Sequence, residues 1–274
     1  MLRHLLAIFL LLLTNQAEAA PRLIPRVSGS VAPQQRANTT PWWRSLQHAI
    51  LSIQRSGPGG YSTEDYAKEA LVNAFQWDEQ TRRPRFTPGT ARPSFCSAAV
   101  YAALLSALLH WEECNQRRYI SAKAWQALLP RLVKDGIGPW GYANANGPGF
   151  ALLVHQLGAG INFTDWEKAR PSDIAKIWWN DHIGADERGH LVILVQDDGA
   201  NIRFWSANQA RDNNPGGYGI RSVPKSAIRR ILFTRITHPA AFNRASALPD
   251  SPWLTSLMQS NTTWEECIRR CGIR

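Results

Sequence analysis

The sequence predicts an α+β domain in which a helical N-terminal half, with a central Cys-bearing helix, packs on an antiparallel sheet. Three observations predict it. Apolar residues recur at helical spacing in several segments up to Leu157. The stretch Ser97 to Trp111 is apolar nearly all round, as expected of a buried central helix. After Gly160 the pattern changes to short runs of β-branched and aromatic residues. With 274 residues, 44% of them hydrophobic and 19% charged, the chain can bury one large core. This composition excludes a wholly disordered chain, a collagen and a coiled coil.

Pro41 opens the first helix, with Trp42, Leu46, Ala49, Ile50 and Ile53 on one face. Gly57 to Gly60 is a turn, since it lacks the spacing and lysine of a phosphate loop. Ser62 followed by Asp65 reads as a helix cap, with Tyr66, Ala70, Leu71 and Phe75 on the buried face that follows. Arg82 to Pro93 is polar and Pro-rich, hence loop. Ser94 is the expected cap of the apolar helix, and Ser121 that of another helix through Val133, bent at Pro130. Asp135 to Gly149 reads as a long loop and Phe150 to Leu157 as a short helix. The expected strands are Ile174 to Trp179, His190 to Gln196, Ile202 to Ala207, Tyr218 to Val223 and Arg230 to Ile236, with a hairpin at Asp198-Gly199. Domain organisation follows: 1–19, 20–40, a single domain over 41–245, and a C-terminal tail over 246–274 with a short helix near Trp264 to Arg270.

Residues 1–19 have a basic start at Arg3, an apolar run from Leu5 to Leu13 and small residues at Ala17 and Ala19, the layout of a secretory signal peptide. A permanent N-terminal anchor is the competing reading, disfavoured by the short run. A secreted or periplasmic protein is expected, without stable membrane insertion after cleavage. Residues 20–40 carry three prolines, three arginines and no acidic residue, and read as a basic flexible linker. Lys and Arg total 31 against 21 acidic residues, a formal charge of +10, which favours an anionic partner. Export and the absence of zinc-finger or helix-turn-helix spacing argue against nucleic acid. A membrane surface and an acidic, peptide-bearing polymer such as a cell wall are the other anionic partners, and charge alone does not choose between them.

Cys96 follows the Ser94 cap, so it falls in the first helical turn. Unpaired N–H groups and the helix dipole favour a thiolate there. The alternative is a small, inert, buried residue. A reactive thiolate needs a base and a group to orient it. His190, at the start of a strand behind Arg188-Gly189, is the expected base. A three-residue loop from Asp198 to Ala200 sets His190 opposite Asn208, whose side-chain carbonyl can fix the imidazole tautomer. A two-residue loop would bring Ser206 and Asn208 in as diagonal neighbours instead. Tyr142, Asn144 and Asn146 are candidate substrate-binding residues on the 135–149 loop, which could equally be solvated. Cys114, Cys267 and Cys271 suggest one disulfide and a free thiol rather than a metal site, since zinc would lack two ligands. Neither metal nor cofactor is expected, and a monomer is.

Cys96 at the start of an apolar helix, the strand entry Pro171-Ser172-Asp173 and the run Gly189 to Ile193 together resemble the NlpC/P60 superfamily of papain-like cysteine peptidases and amidases. The resemblance covers roughly residues 93–235. The chain departs from it at Phe95-Cys96-Ser97, where the family has Asp-Cys-Ser, and at Ser172-Asp173, where it has Gly-Asp. The Cys-to-His interval is also long. The resemblance implies a papain-like fold, a Cys96–His190 pair and cleavage of an amide bond in peptidoglycan stem peptides. A non-catalytic cell-wall glycan- or peptide-binding module on the same fold is the alternative.

Overall fold

The computed structural model describes residues 40–211 and 216–274. The signal-peptide reading for 1–19 and the linker reading up to residue 39 lie outside the described residues. Helix α1 (Trp42–Arg55) buries Leu46, Ala49, Ile50 and Ile53, the predicted stripe. Helix α2 (Asp65–Asn73) and its exit bury Leu71 and Phe75 as expected, whereas Tyr66 is exposed and Ala67 is buried in its place. Ser62 Oγ accepts the Glu64 N–H just before the helix at 3.2 Å. Phe75 leaves the helix to begin β1 (Phe75–Asp78), which pairs with β2 (Arg83–Phe86) inside the segment expected to be loop.

Helix α3 (Cys96–Cys114) is the central element. Its Ala- and Leu-rich run is buried on every side from Ser97 to Leu105, because α1 covers one flank and the sheet another. Helix α4 (Ala122–Leu128) is capped by Ser121 Oγ, which accepts the Ala124 N–H. It stops at Leu129 (φ −57°, ψ 136°), because the residue before Pro130 is pushed out of helical geometry. Pro130 therefore ends this helix instead of bending it. The expected 135–149 loop holds α5 (Gly138–Asn144), which buries Pro139, Trp140 and Tyr142. Helix α6 (Gly149–Leu157) ends at Gly158, whose φ of 56° suits a residue without Cβ.

Six strands follow: β3 (Gly160–Phe163), β4 (Ile174–Trp178), β5 (Gly189–Asp197), β6 (Asn201–Asn208), β7 (Gly217–Pro224) and β8 (Arg230–Ile236). They form one antiparallel sheet in the order β3-β8-β4-β5-β6-β7. Strand β3 was not anticipated; it is four residues long and begins with glycine. Leu191, Ile193, Trp205 and Ala207 pack into the helical core, while Val192, Leu194, Ile202 and Phe204 form a second apolar cluster with Ile231 and Phe233. The fold is therefore α+β.

Residues 246–274 correct the tail reading. Helices α7 (Pro252–Ser256) and α8 (Trp264–Arg270) contribute Leu254, Leu257, Cys267 and Cys271 to the main core. Trp264 stands edge-on to Trp178 of β4 at 5.9 Å, and Thr262 N–H donates to Ile183 O at 2.8 Å. The segment completes the domain at the end of the sheet where β4 leaves it. Among the described residues, no helix is long and apolar enough to cross a membrane.

Candidate active site

Cys96 is the first residue of α3. The residue before the helix is Phe95 (φ −132°, ψ 173°), not the expected cap Ser94, whose hydroxyl instead donates to Phe95 O at 3.4 Å. Among the described residues, no side chain caps this helix start. Its first-turn N–H groups and the positive end of its dipole thus lie beside Cys96. The preceding chain is fixed by a short parallel bridge between Tyr61 and Ser94: Ser94 N–H donates to Gly60 O, and Ser62 N–H to Ser94 O at 3.1 Å. The Gly57–Gly60 turn does more than reverse the chain. Gly59 bridges Gly217, whose φ of 94° and contact with Pro58 O leave no room for a Cβ. This bridge holds Tyr61 at the site.

His190 is the second residue of β5, and Asn208 the last of β6. The hairpin closes with Asp197 opposite Ile202, one residue away from the expected Asp197–Asn201 pair. A bulge at Val195 then restores the expected register, giving Leu194–Phe204 and Ile193–Trp205. Carried toward the strand end, that register sets His190 across from Asn208. The side chains meet there, with His190 Nε2 and Asn208 Oδ1 3.2 Å apart.

Asn208 decides the protonation pattern. Its Nδ2 donates to Ser206 O at 3.1 Å and Gly219 O at 2.9 Å, so the amide oxygen must face His190. His190 Nε2 therefore carries the hydrogen, and the lone pair of a neutral ring resides on Nδ1. The His190 ring lies near enough to the Cys96 thiol to act on it. Burial pushes its thiol up, but the His190 hydrogen bond, the charges of His190 and Lys176, and the Leu191 N–H outweigh burial and bring it down to about 7. Ser206 also serves the site: its hydroxyl donates to Leu191 O at 2.8 Å, holding the residue whose N–H meets the Cys96 sulfur.

The cleft beside Cys96 has walls from Tyr61, Ser97, Asp135, Asn144, Lys176 and Glu187. Asn144 and Asn146 both line it. Asn144 accepts from Ser97 Oγ and donates to Asp135 Oδ1, both at 2.9 Å; Asn146 donates to Gly184 O at 3.0 Å. Tyr142 does not line it and is corrected to a core residue. It is fully buried, and its hydroxyl lies 2.8 Å from both Gln156 Oε1 and Pro249 O, sharing its one hydrogen between them.

Sequence reasoning missed four members of this cleft. Burial and the neighbouring Cys96 push the Tyr61 phenol up to about 12, against a hydrogen bond with Gln209, so Tyr61 is a donor at neutral pH. Burial also raises the Asp135 carboxyl, opposed by the Asn144 hydrogen bond and Lys68. Lys176 and Glu187 form a buried ion pair on the wall. A lysine in the middle of the otherwise apolar run Ile174–Trp178 was the available signal for that pair. The remaining cysteines are free: Cys114 is exposed, and Cys267 and Cys271 are buried, so the suggested disulfide is absent among the described residues. Among these residues no group of three His, Cys, Asp or Glu side chains is arranged to hold a metal ion. No family model, curated protein or solved structure matches this chain.

Proposed function

We propose that this protein is an exported, papain-like cysteine hydrolase of NlpC/P60 type that cuts an amide bond, with peptidoglycan stem peptides as its substrate class. One observation carries the catalytic reading. The Asn208 amide, anchored by two carbonyls, presents its oxygen to His190 Nε2 and so leaves Nδ1 as the basic nitrogen of an imidazole that acts on the Cys96 thiol. Substrate class has separate support: the signal-peptide layout, the formal charge of +10 and the family resemblance.

In this reading the Cys96 thiolate attacks the scissile carbonyl carbon, and the carbonyl π electrons move to oxygen. The Cys96 N–H at the start of α3 and the Tyr61 hydroxyl are the donors offered to that oxyanion. Collapse of the intermediate breaks the C–N bond, and the His190 imidazolium gives its proton to the departing amine. Neutral His190 then takes a proton from water, whose oxygen attacks the thioester. The acid product leaves and Cys96 is regenerated. Asn208 keeps the imidazole oriented throughout.

The test is incubation of purified peptidoglycan fragments with wild type and Cys96→Ala, read by mass spectrometry. Wild type should release a new amine and a new carboxylate in equal amounts. The variant should lose activity by a factor on the order of 10⁶, as for nucleophile removal in a measured triad enzyme. Undiminished cleavage by Cys96→Ala would overturn the assignment. Fragment binding without cleavage, together with a Cys96 no more reactive than a free thiol, would make the protein a wall-binding module.

A further inference from the structure

Lys176 occupies the centre of β4, where Ile174, Ala175, Ile177 and Trp178 are all buried. A cation placed there pays a desolvation penalty unless its surroundings compensate it. Glu187 provides the counter-charge at Oε1. That carboxylate is also shared among neutral donors: its Oε2 accepts the Gly147 N–H at 2.7 Å, the Trp178 indole N–H at 2.9 Å and the Gly184 N–H at 3.1 Å. Its negative charge is shared over these donors, and two of the three ammonium hydrogens of Lys176 are left over from the Glu187 bond. The pair lies directly against Gly189, beside His190. A Cβ on Gly189 would sit 2.6 Å from Lys176 Nζ and 2.8 Å from Glu187 Oε1.

We propose that Lys176 is a positioning residue that holds the Cys96 thiolate independently of the protonation state of His190. The inference rests on the reading of Cys96 as nucleophile. In a Cys–His pair alone, the thiolate loses its counter-charge when the imidazolium gives up its proton. An ammonium keeps its charge across the neutral range, so the thiolate outlasts that step. The charged and titratable groups around Cys96 come from several elements. His190 of β5, Lys176 of β4 and Tyr61 of the 58–62 segment act on it directly. Lys68 of α2, Asp135 and Glu187 line the same cleft. Cys267 and Arg230 lie behind the ion pair. Of the cations, His190 and Lys176 are the two whose charges favour the thiolate.

The test measures iodoacetamide labelling of Cys96 in the full chain against pH, by peptide mass spectrometry, in wild type, Lys176→Gln, Lys176→Arg, His190→Ala and the His190→Ala/Lys176→Gln double variant. Lys176→Gln should raise the midpoint by about one pH unit, roughly tenfold slower labelling at pH 6. Lys176→Arg should restore the wild-type profile, which a purely structural lysine would not require. His190→Ala should keep a midpoint below that of a free thiol, and the double variant should lose it. His190→Ala leaves the ion pair intact, so it tests the claim even where Lys176→Gln fails to fold. Superimposable profiles for wild type and Lys176→Gln, or a free-thiol profile in His190→Ala, would overturn the inference. A free-thiol profile in wild type would instead sink the hydrolase reading itself.

Discussion

Cys96 and the pair Cys267 and Cys271 are thiols enclosed by the same domain, and their chemistry diverges. Burial pushes Cys267 well above the usual thiol range, reinforced by Cys271 and Glu187, and pushes Cys271 up to about 12. Cys96 is brought down to about 7 although burial opposes it. Position makes the difference. Cys96 begins a helix and meets a backbone N–H, an imidazole and a lysine. Cys267 lies inside α8 with Glu187 near it, and Lys176 and Arg230 only partly offset that charge. Enclosure without donors keeps a thiol protonated; enclosure with donors and cations favours the thiolate.

Thiol labelling breaks or sharpens this contrast most strongly. At pH 7 about half of Cys96 should be thiolate, against a fraction on the order of 10⁻⁵ for a thiol at 12. The greater intrinsic nucleophilicity of the more basic thiolate recovers part of this, leaving a rate ratio of roughly a few hundred before access is counted. Labelling of Cys96 should fall about tenfold from pH 7 to pH 5.5–6 and level off above pH 8, because the thiol is protonated below its midpoint. Comparable rates at Cys96 and Cys271 in folded protein would erase the distinction.

Asn208→Ala should come next, lowering turnover by about two orders of magnitude while Cys96 keeps part of its reactivity, since an orienting residue contributes less than the nucleophile. Ser206→Ala should have a smaller effect on turnover, a few-fold, with a stability loss of about 1–3 kcal/mol from the hydrogen bond lost at Leu191 O. Kinetics on the two variants with one substrate decide the ranking; a larger loss for Ser206→Ala would mean the Leu191 peptide, not the imidazole, is the sensitive point. The smallest effect belongs to Tyr142→Phe. It should cost about 1 kcal/mol in thermal or denaturant unfolding and leave KM unchanged, because the hydroxyl bonds Gln156 and Pro249 away from the cleft. A raised KM would return Tyr142 to the substrate.

The sequence by itself determined the features that depend on local pattern. The apolar run after Cys96 read as a buried helix, the β-branched and aromatic runs after Gly160 as strands, and Asp198-Gly199 as a hairpin signal. Those local signals, with the family resemblance, offered Cys96, His190 and Asn208 as candidates. Tertiary structure decided everything that needs two distant segments to meet. His190 and Asn208 stand opposite because a longer hairpin loop and the Val195 bulge offset each other, and neither leaves a trace in composition. Lys176 finds Glu187 across a loop, and Tyr61 reaches Cys96 through the Gly59–Gly217 bridge. The last 29 residues look polar and separable in sequence, yet Leu254, Leu257 and Cys267 fill the end of the core. Local pattern encodes how a side chain is offered to its own helix or strand; the partner it meets is set by packing between elements, where register and loop geometry decide within one residue.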